Sequence, residues 1–422
     1  MNQSLSLLPP VHRQVWLQAL GRGLCQAGHG LLQFYMPIVF VNSVGLSATA
    51  VGIGLSSASV ASIIGHFAGG TLVDSSLGRK GTLLASIGLS ILASLILVVT
   101  HHLPMLILAN LLLGLSMGFY WTAADTAVMD VTSAEDRHQA FAILGLTDHL
   151  GIGMGILGGG ALLAWLHTSQ HLFIVSGGIS LLFLVLAQVT IAETKQNITQ
   201  HDEMMQGWMT ALRDRSLWMF VLVNSLFTTY IALVNSILPL YFTNFLTLST
   251  ADLGTASGTV ASLFTWGYIG LGAAFQVPVV RSLGALGWAR ALMVSISLWG
   301  CGFLLVWSLG PVLSIELTHE VGVLAVLAIA SVIYKPFASA FLAELAPASI
   351  RGIYTAIGYQ CWAIGYLIGP AIGGWALDQP QPIPHRTWAM VALTSLPGLV
   401  MLAFLSQQER SASELTSEDP AV

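Results

Sequence analysis

Twelve mainly apolar runs, separated by short polar intervals, dominate the pattern of this chain. They fall at residues 16–41, 51–73, 81–100, 104–128, 140–164 and 171–192, then 217–242, 252–279, 289–310, 321–343, 353–377 and 387–405. About 20 mainly apolar residues suffice to cross a bilayer as a helix. The pattern therefore predicts an all-α polytopic membrane protein with 12 transmembrane helices. One interval differs from the rest. Residues 193–216 hold Glu193, Lys195, Asp202, Glu203, Arg213, Asp214 and Arg215, and read as a linker between an N-terminal six-helix half (1–192) and a C-terminal one (217–405). Within it, residues 204–212 predict a short interfacial helix. The stretch 406–422 carries Glu409, Glu414, Glu418 and Asp419 and reads as a disordered tail.

Basic residues set the expected orientation. The side shared by the N-terminus and the even-to-odd loops holds Arg13, Arg79, Lys80, Arg137, Lys195, Arg213, Arg215, Arg281, Arg290, Arg351 and Arg410, while the other side holds Arg386. Lys and Arg accumulate on the cytoplasmic side of short loops. The bias predicts a multi-pass protein of the plasma (inner) membrane with both termini, linker and tail in the cytoplasm.

Composition adds exclusions. Of 422 residues, 55% are hydrophobic and 8% charged, against about 25% charged in an average soluble domain, which removes a water-soluble enzyme. A net charge of −5 has the wrong sign for a nucleic-acid binder. Cys25, Cys301 and Cys361 fall in apolar stretches, so no disulfide framework is implied. His167 and His171 have helical metal-ligand spacing but no third ligand in reach. No catalytic set, metal site or cofactor is expected.

The halves repeat. Asp130, Arg137, Gly151, Gly155, Gly159 and Gly160 return 214 residues later as Glu344, Arg351, Gly365, Gly369, Gly373 and Gly374, and Tyr120 as Tyr334. Pro37, Leu46, Ser47 and Gly52 return 202 residues later as Pro239, Leu248, Ser249 and Gly254. Two registers in the same order predict two pseudo-symmetric six-helix halves, related as parallel repeats about an axis along the membrane normal. The stripes Gly151/Gly155/Gly159 and Gly365/Gly369/Gly373, the latter with Pro370, leave one helix face bare for close backbone approach. They suit a hinge or sliding contact between halves, or plain tight packing.

Polar groups at membrane depth carry the chemistry, because a central charge costs ~2.5–3.5 kcal/mol on insertion scales. Arg22, Gln26, His29 and Gln33 follow at steps of four, three and four and share one helix face. The same positions in the second half are Asn224, Thr228, Ile231 and Asn235. Two such stripes predict a water-filled path, with a buried hydrogen-bond ladder as the alternative. The charges break the repeat: Arg22 corresponds to Asn224, Asp125 to Ser339, Asp148 to Trp362, and Lys335 to Trp121. At about 1.5 Å per residue, Arg22 and Asp148 lie roughly 9–12 Å inside the cytoplasmic ends of their spans, with Asp125 and Lys335 in the same half of the membrane. Opposite charges at matched depth predict that Arg22 pairs with Asp148 or Asp125 and is released when that carboxylate is protonated. Tyr120, Trp121, Tyr334, Tyr359, Trp362 and Tyr366 could line the path, and His29 and His149 could relay protons.

The loop running from Gly70 through Asp74 to Gly78, Arg79 and Lys80 resembles the signature loop of the major facilitator superfamily, a Gly followed four residues on by Asp and then by Gly-Arg-Arg/Lys. Here Asp74 to Gly78 is one residue longer. The sequence Gly365-x3-Gly369-Pro370-x2-Gly373-Gly374, repeated in the fifth span with Ile156 in place of the proline, is similar to the signature of the drug/proton antiporter branch. Asn110, four residues before Gly114, stands where many of those antiporters have Arg. The resemblance implies the major facilitator fold and a gate built on Gly70, Asp74, Gly78, Arg79 and Lys80, with Asp74 as the latch joining the halves. It implies a secondary transporter working by alternating access on a small-molecule substrate in a lipid bilayer, most naturally as proton-coupled efflux, from a monomer without cofactor. An importer of an anionic nutrient held by Arg22 and Lys335, a lipid flippase, and a transport-dead membrane receptor are the alternatives.

Overall fold

In lipid, every backbone polar group needs an internal partner, so apolar runs of this length have little choice but to become helices. The computed structural model describes residues 13–132, 137–163, 169–194, 204–247, 253–309, 317–345 and 351–417. It divides into two units, Met1–Ile198 with Leu253–Gly258, and Thr199–Asp252 with Thr259–Val422.

The first unit holds six long helices: α1 (Arg13–Asn42), α2 (Ala48–Asp74), α3 (Gly78–Val98), α4 (Leu103–Val131), α5 (Arg137–Leu163) and α6 (Leu172–Thr190). Their starts have ordinary local causes. Ser47 accepts from the Ala50 N–H at 3.1 Å to cap α2, and Pro104 occupies the first turn of α4, where its missing N–H costs nothing. Helices α5 and α6 pack on α1, α4 packs on α2 and α3, and α3 packs on α6.

The second unit opens with α7 (Met204–Arg213), the short helix expected within the linker. Asp214 then caps α8 (Arg215–Ala232), accepting from the N–H groups of Ser216 and Leu217, and also accepts from the Tyr354 hydroxyl at 2.6 Å. The seventh span continues from α8 through a π-helical turn, Leu233–Ile237, α9 (Leu238–Tyr241) and a second π-helical stretch, Phe242–Thr247. Pro239 cannot donate to an i−4 carbonyl, and its ring crowds that group. The wider turn just before it, closed by the Leu238 N–H on the Leu233 carbonyl, takes up the misfit. The remaining helices are α10 (Leu253–Leu263), whose residues Leu253–Gly258 group with the first unit, continued through the π-helical Phe264–Gly270 into α11 (Leu271–Leu283), then α12 (Gly287–Leu309), α13 (Leu317–Leu345), α14 (Arg351–Leu377), α15 (Ile383–Leu393) and α16 (Ser395–Ser417).

Among the described residues, ten helices are long and apolar enough to cross a membrane. The continuous rod from α10 to α11 and the 27-residue α14 account for the other two of the twelve predicted spans. The first and seventh spans have 72% of their apolar windows buried, against 33–50% for the rest, so each is the central helix of its own unit. Large side chains such as Val189, Val400 and Trp266 are 78%, 68% and 69% exposed, which suits a surface bathed in lipid. One expectation changes: α16 runs on to Ser417, where a disordered tail was read from residue 406. Gln, Glu, Arg, Ala and Leu in that stretch are good helix formers, and low hydrophobicity did not stop the helix.

The glycine stripes pack inside the units. A Cβ on Gly155 would run into the Ala27 carbonyl, one on Gly151 would sit 2.5 Å from the Gly23 carbonyl, and one on Gly159 would enter the Tyr35 ring, all on α1. In the second unit Gly365 meets Thr228, Gly369 meets Ala232 at 3.0 Å and Gly373 meets Ile237 at 2.8 Å. The fifth span is therefore pressed on the first, and the eleventh on the seventh. The repeat seen in the sequence is a repeat of this packing.

Candidate functional site

Arg22 of α1 reaches two other helices of the first unit. Its Nε and Nη2 donate to the two carboxylate oxygens of Asp148 on α5 at 2.7 and 3.0 Å, and its Nη1 donates to Asp125 on α4 at 2.8 Å. The guanidinium carbon also lies 4.4 Å from the ring centroid of Trp121, a cation–π contact worth roughly 0.5–2 kcal/mol. Tyr120 meets Trp121 edge-on. The two carboxylates differ. Asp148 is held by a fork of two bonds and its side chain is 11% exposed, whereas Asp125 has one bond from Arg22 and is 32% exposed. The sequence pattern offered one partner or the other for Arg22; it holds both.

The rest of the α1 stripe is polar and incompletely paired. Gln26 is buried, and its Oε1 has no hydrogen-bond partner among the described residues. The Gln33 Nε2 is likewise buried with no hydrogen-bond partner among the described residues. Leaving a buried polar atom unpaired costs roughly 1–3 kcal/mol. A closed structural ladder would not leave these atoms over. His149 spends its Nδ1 on the Gly145 carbonyl of its own helix at 2.7 Å.

The signature loop is a second charged site in the same unit. Gly78 has φ +70°, a conformation other residues avoid, and a Cβ there would strike the Glu193 carboxylate. Glu193 accepts from the Arg79 and Lys80 N–H groups at 3.0 and 3.1 Å, which satisfies two open donors at the start of α3 and sets a negative charge on its positive end. Arg79 is buried; it donates to Asp130 at 2.9 Å and to the Val73 carbonyl at 3.0 Å. Asp130 also accepts from Thr194 at 3.1 Å, and Lys80 donates to the Gln188 carbonyl at 2.8 Å. Asp74, expected as the latch, is 79% exposed on its side chain and reaches Arg79 only at 3.4 Å. Gly70 faces open space. The loop is thus held by Asp130 and Glu193, which the sequence motif leaves out of the site. Asp130 had left a trace in the repeat with Glu344, and Glu193 in its position directly after the sixth span.

These geometries predict a contrast in stability. Asp130→Ala strands the buried Arg79 and should cost about 3 kcal/mol, while Asp74→Ala should cost less than about 1 kcal/mol. Thermal unfolding of the two purified variants in detergent should separate them clearly.

In the second unit the polar stripe is mostly spent on packing. Asn224 donates to the Phe220 carbonyl of its own helix at 3.0 Å. Thr228 is fully buried and donates across to the Cys361 carbonyl on α14 at 2.6 Å. Both were expected to line a path, and in fact they bind α8 to itself and to α14. Asn235 differs: it lies in the π-helical turn, half-buried, and its amide donates to the Tyr366 hydroxyl at 3.1 Å. Lys335 is exposed on α13. His167, Lys195, Asp202 and Glu203 lie outside the described residues.

Ten helices among the described residues, long and apolar enough to cross a membrane, with a buried ion cluster between three of them, define a polytopic membrane protein. The sequence profile of the Major Facilitator Superfamily matches residues 19–256, more than half of the chain, and the chain belongs to that superfamily of secondary transporters. It is not an enzyme. The Multidrug resistance protein MdtH of Edwardsiella ictaluri is 24% identical over 371 residues, covering 86% of this chain and 87% of that protein. The Multidrug efflux pump SdrM of Staphylococcus aureus is 30% identical over 155 residues, which is 36% of this chain and 32% of that one. Among solved structures, the nucleoside transporter NupG matches with a TM-score of 0.78 at 13% identity over 93% of this chain and 99% of that one. The peptide transporter POT in complex with sulfate matches at 0.77 and 13% identity over 94% of each. These likenesses show the major facilitator fold.

Proposed function

We propose that this transporter exports small amphipathic compounds in exchange for protons by alternating access, with both termini in the cytoplasm, and that Arg22, Asp125 and Asp148 couple the exchange. One observation carries the reading: a single guanidinium held by two carboxylates at membrane depth. With all three groups ionised the cluster has a net charge of −1, so it takes up one proton to become neutral. Asp125, singly bonded to Arg22 and the more exposed of the two carboxylates, is the group water can reach and the one Arg22 can release. Asp148 keeps the guanidinium in position through its two-bond fork, which is stronger and more directional than a single contact. The multidrug relatives support the direction of transport and the class of compound by analogy.

Uptake of an anionic nutrient through Arg22 has less support. Three of its five N–H groups are committed to carboxylates and one face of its guanidinium is covered by Trp121, so an incoming anion would find two N–H groups in a cluster of net charge −1.

The test is transport in proteoliposomes under an imposed pH gradient, with lipophilic cations, organic anions and sugars offered in parallel. Movement of lipophilic cations against the proton gradient, about tenfold faster than without it, is the expected result. Transport confined to anions or sugars, or indifferent to the gradient, would overturn the reading.

A further inference from the structure

The second unit carries a connected set of rings that the coupling cluster does not use. Phe227 on α8 stacks on Tyr334 of α13, with centroids 4.7 Å apart and planes at 21°. Tyr334 lies 6.4 Å from Trp362 of α14, and Trp362 and Tyr366, one helical turn apart, are nearly parallel at 6.4 Å and 24°. Phe227 and Tyr334 are buried at 0% and 4% exposure and form the base of the set, whereas Trp362 and Tyr366 are half-buried. Asn235, from the π-helical turn, anchors the Tyr366 hydroxyl.

Packing and interfacial anchoring do not account for the two outer rings. The face of α14 that meets α8 is already taken by Cys361, Gly365, Gly369 and Gly373. Trp362 lies about 16 Å from the start of α14 and about 22 Å from its end at 1.5 Å per residue, far from the interfacial belts where Trp and Tyr are commonly found. The internal repeat sharpens the point. Trp362 stands at the position of Asp148, and Asn224 at that of Arg22. At the positions where the first unit has an ion pair, the second has an aromatic ring and an amide bonded to its own helix.

We propose that Trp362 and Tyr366, backed by Tyr334 and Phe227 and set by Asn235, form a stacking surface that selects planar aromatic cations. The faces of these rings are electron-rich, so they attract a flat, delocalised positive charge, and none of the five residues carries a charge of its own. A compact anion is repelled by the same electron-rich faces. The proposal names the substrate class for the export reading and rests on it for the cation's biological sense, but its test needs binding alone.

Binding of ethidium to the purified full-length protein is measured by fluorescence at fixed pH, without a gradient. Tetraphenylphosphonium, whose charge centres on a tetrahedral phosphorus shielded by four phenyl rings and so cannot lie flat against a ring, is the comparison, measured by its own equilibrium binding. Trp362→Ala is expected to weaken ethidium binding about tenfold, Trp362→Phe to keep it within about threefold, and both to keep tetraphenylphosphonium within about threefold. The proposal is overturned if the wild-type protein does not bind ethidium, if Trp362→Ala leaves ethidium affinity unchanged, if both cations are lost alike, or if Trp362→Phe fails to preserve binding. Loss of gradient-driven export with these binding results intact would count against the coupling reading and leave the stacking surface standing.

Discussion

Leucine at Gly155 is expected to abolish the folded transporter, while leucine at Gly158, three residues along the same helix, is expected to be tolerated. A Cβ at Gly155 would run into the Ala27 carbonyl and come within 3.0 Å of the Leu31 N, so the obstacle is the backbone of α1. A side chain can turn aside, but a helix backbone in a packed core cannot. Overpacking a core typically costs about 1–3 kcal/mol when neighbours can adjust, and here α5 and α1 would have to separate along their length. A Cβ at Gly158 would meet nothing within 4 Å, and the residue lies on the exposed face of α5. Size-exclusion chromatography after extraction in mild detergent gives the readout: a monodisperse peak for Gly158→Leu, and aggregate or no protein for Gly155→Leu. Equal behaviour of the two would mean that the contact of α5 on α1 does not hold the first unit together.

The second large effect concerns Arg22. Removing it as Arg22→Ala leaves Asp125 and Asp148 without the cation between them, and breaking a buried pair in this way costs about 3–5 kcal/mol. Loss of folded protein alone would say little about transport, so the informative variant is the double replacement Arg22→Met with Asp148→Leu. It removes charge from both sides of the fork, and a buried pair exchanged for apolar side chains of similar volume is often neutral for stability. Yield and thermal stability are expected to return near the wild-type level in the double variant, while gradient-driven transport stays at the background. Gradient-driven transport at the wild-type rate in the double variant would show that the fork serves the fold and not the coupling.

The fold was legible in the sequence because its strongest determinants are repetitive. Glycine at every fourth position and apolar runs of about 20 residues recur in both halves, and each became a packed helix pair. Four charges at membrane depth were equally visible, since a residue so costly to insert needs a partner, and three of them, Arg22, Asp125 and Asp148, meet in one cluster. Their exact pairing was less visible: Arg22 has enough donors for two carboxylates, and choosing among them takes three helices in register. The loop misled for a different reason. Its signature draws attention to Asp74, but the carboxylates that hold it, Asp130 and Glu193, come from the end of α4 and from beyond α6. Asn224 and Thr228 show the limit of reading one face of one helix, because a hydroxyl or amide can turn back to its own backbone. The π-helical turns of the seventh and eighth spans were not foreseen, as one added residue per turn leaves no period in the sequence. Pro239 marked only the first of them.

Coupling through the cluster is tested most directly at Asp125. In proteoliposomes carrying an internal pH dye, substrate-driven proton movement and substrate counterflow without a gradient can be read on the same Asp125→Asn preparation. Counterflow should stay within about threefold of wild type while substrate-driven proton movement disappears. Proton movement at the wild-type stoichiometry in Asp125→Asn, with counterflow intact, would contradict the coupling role of the cluster.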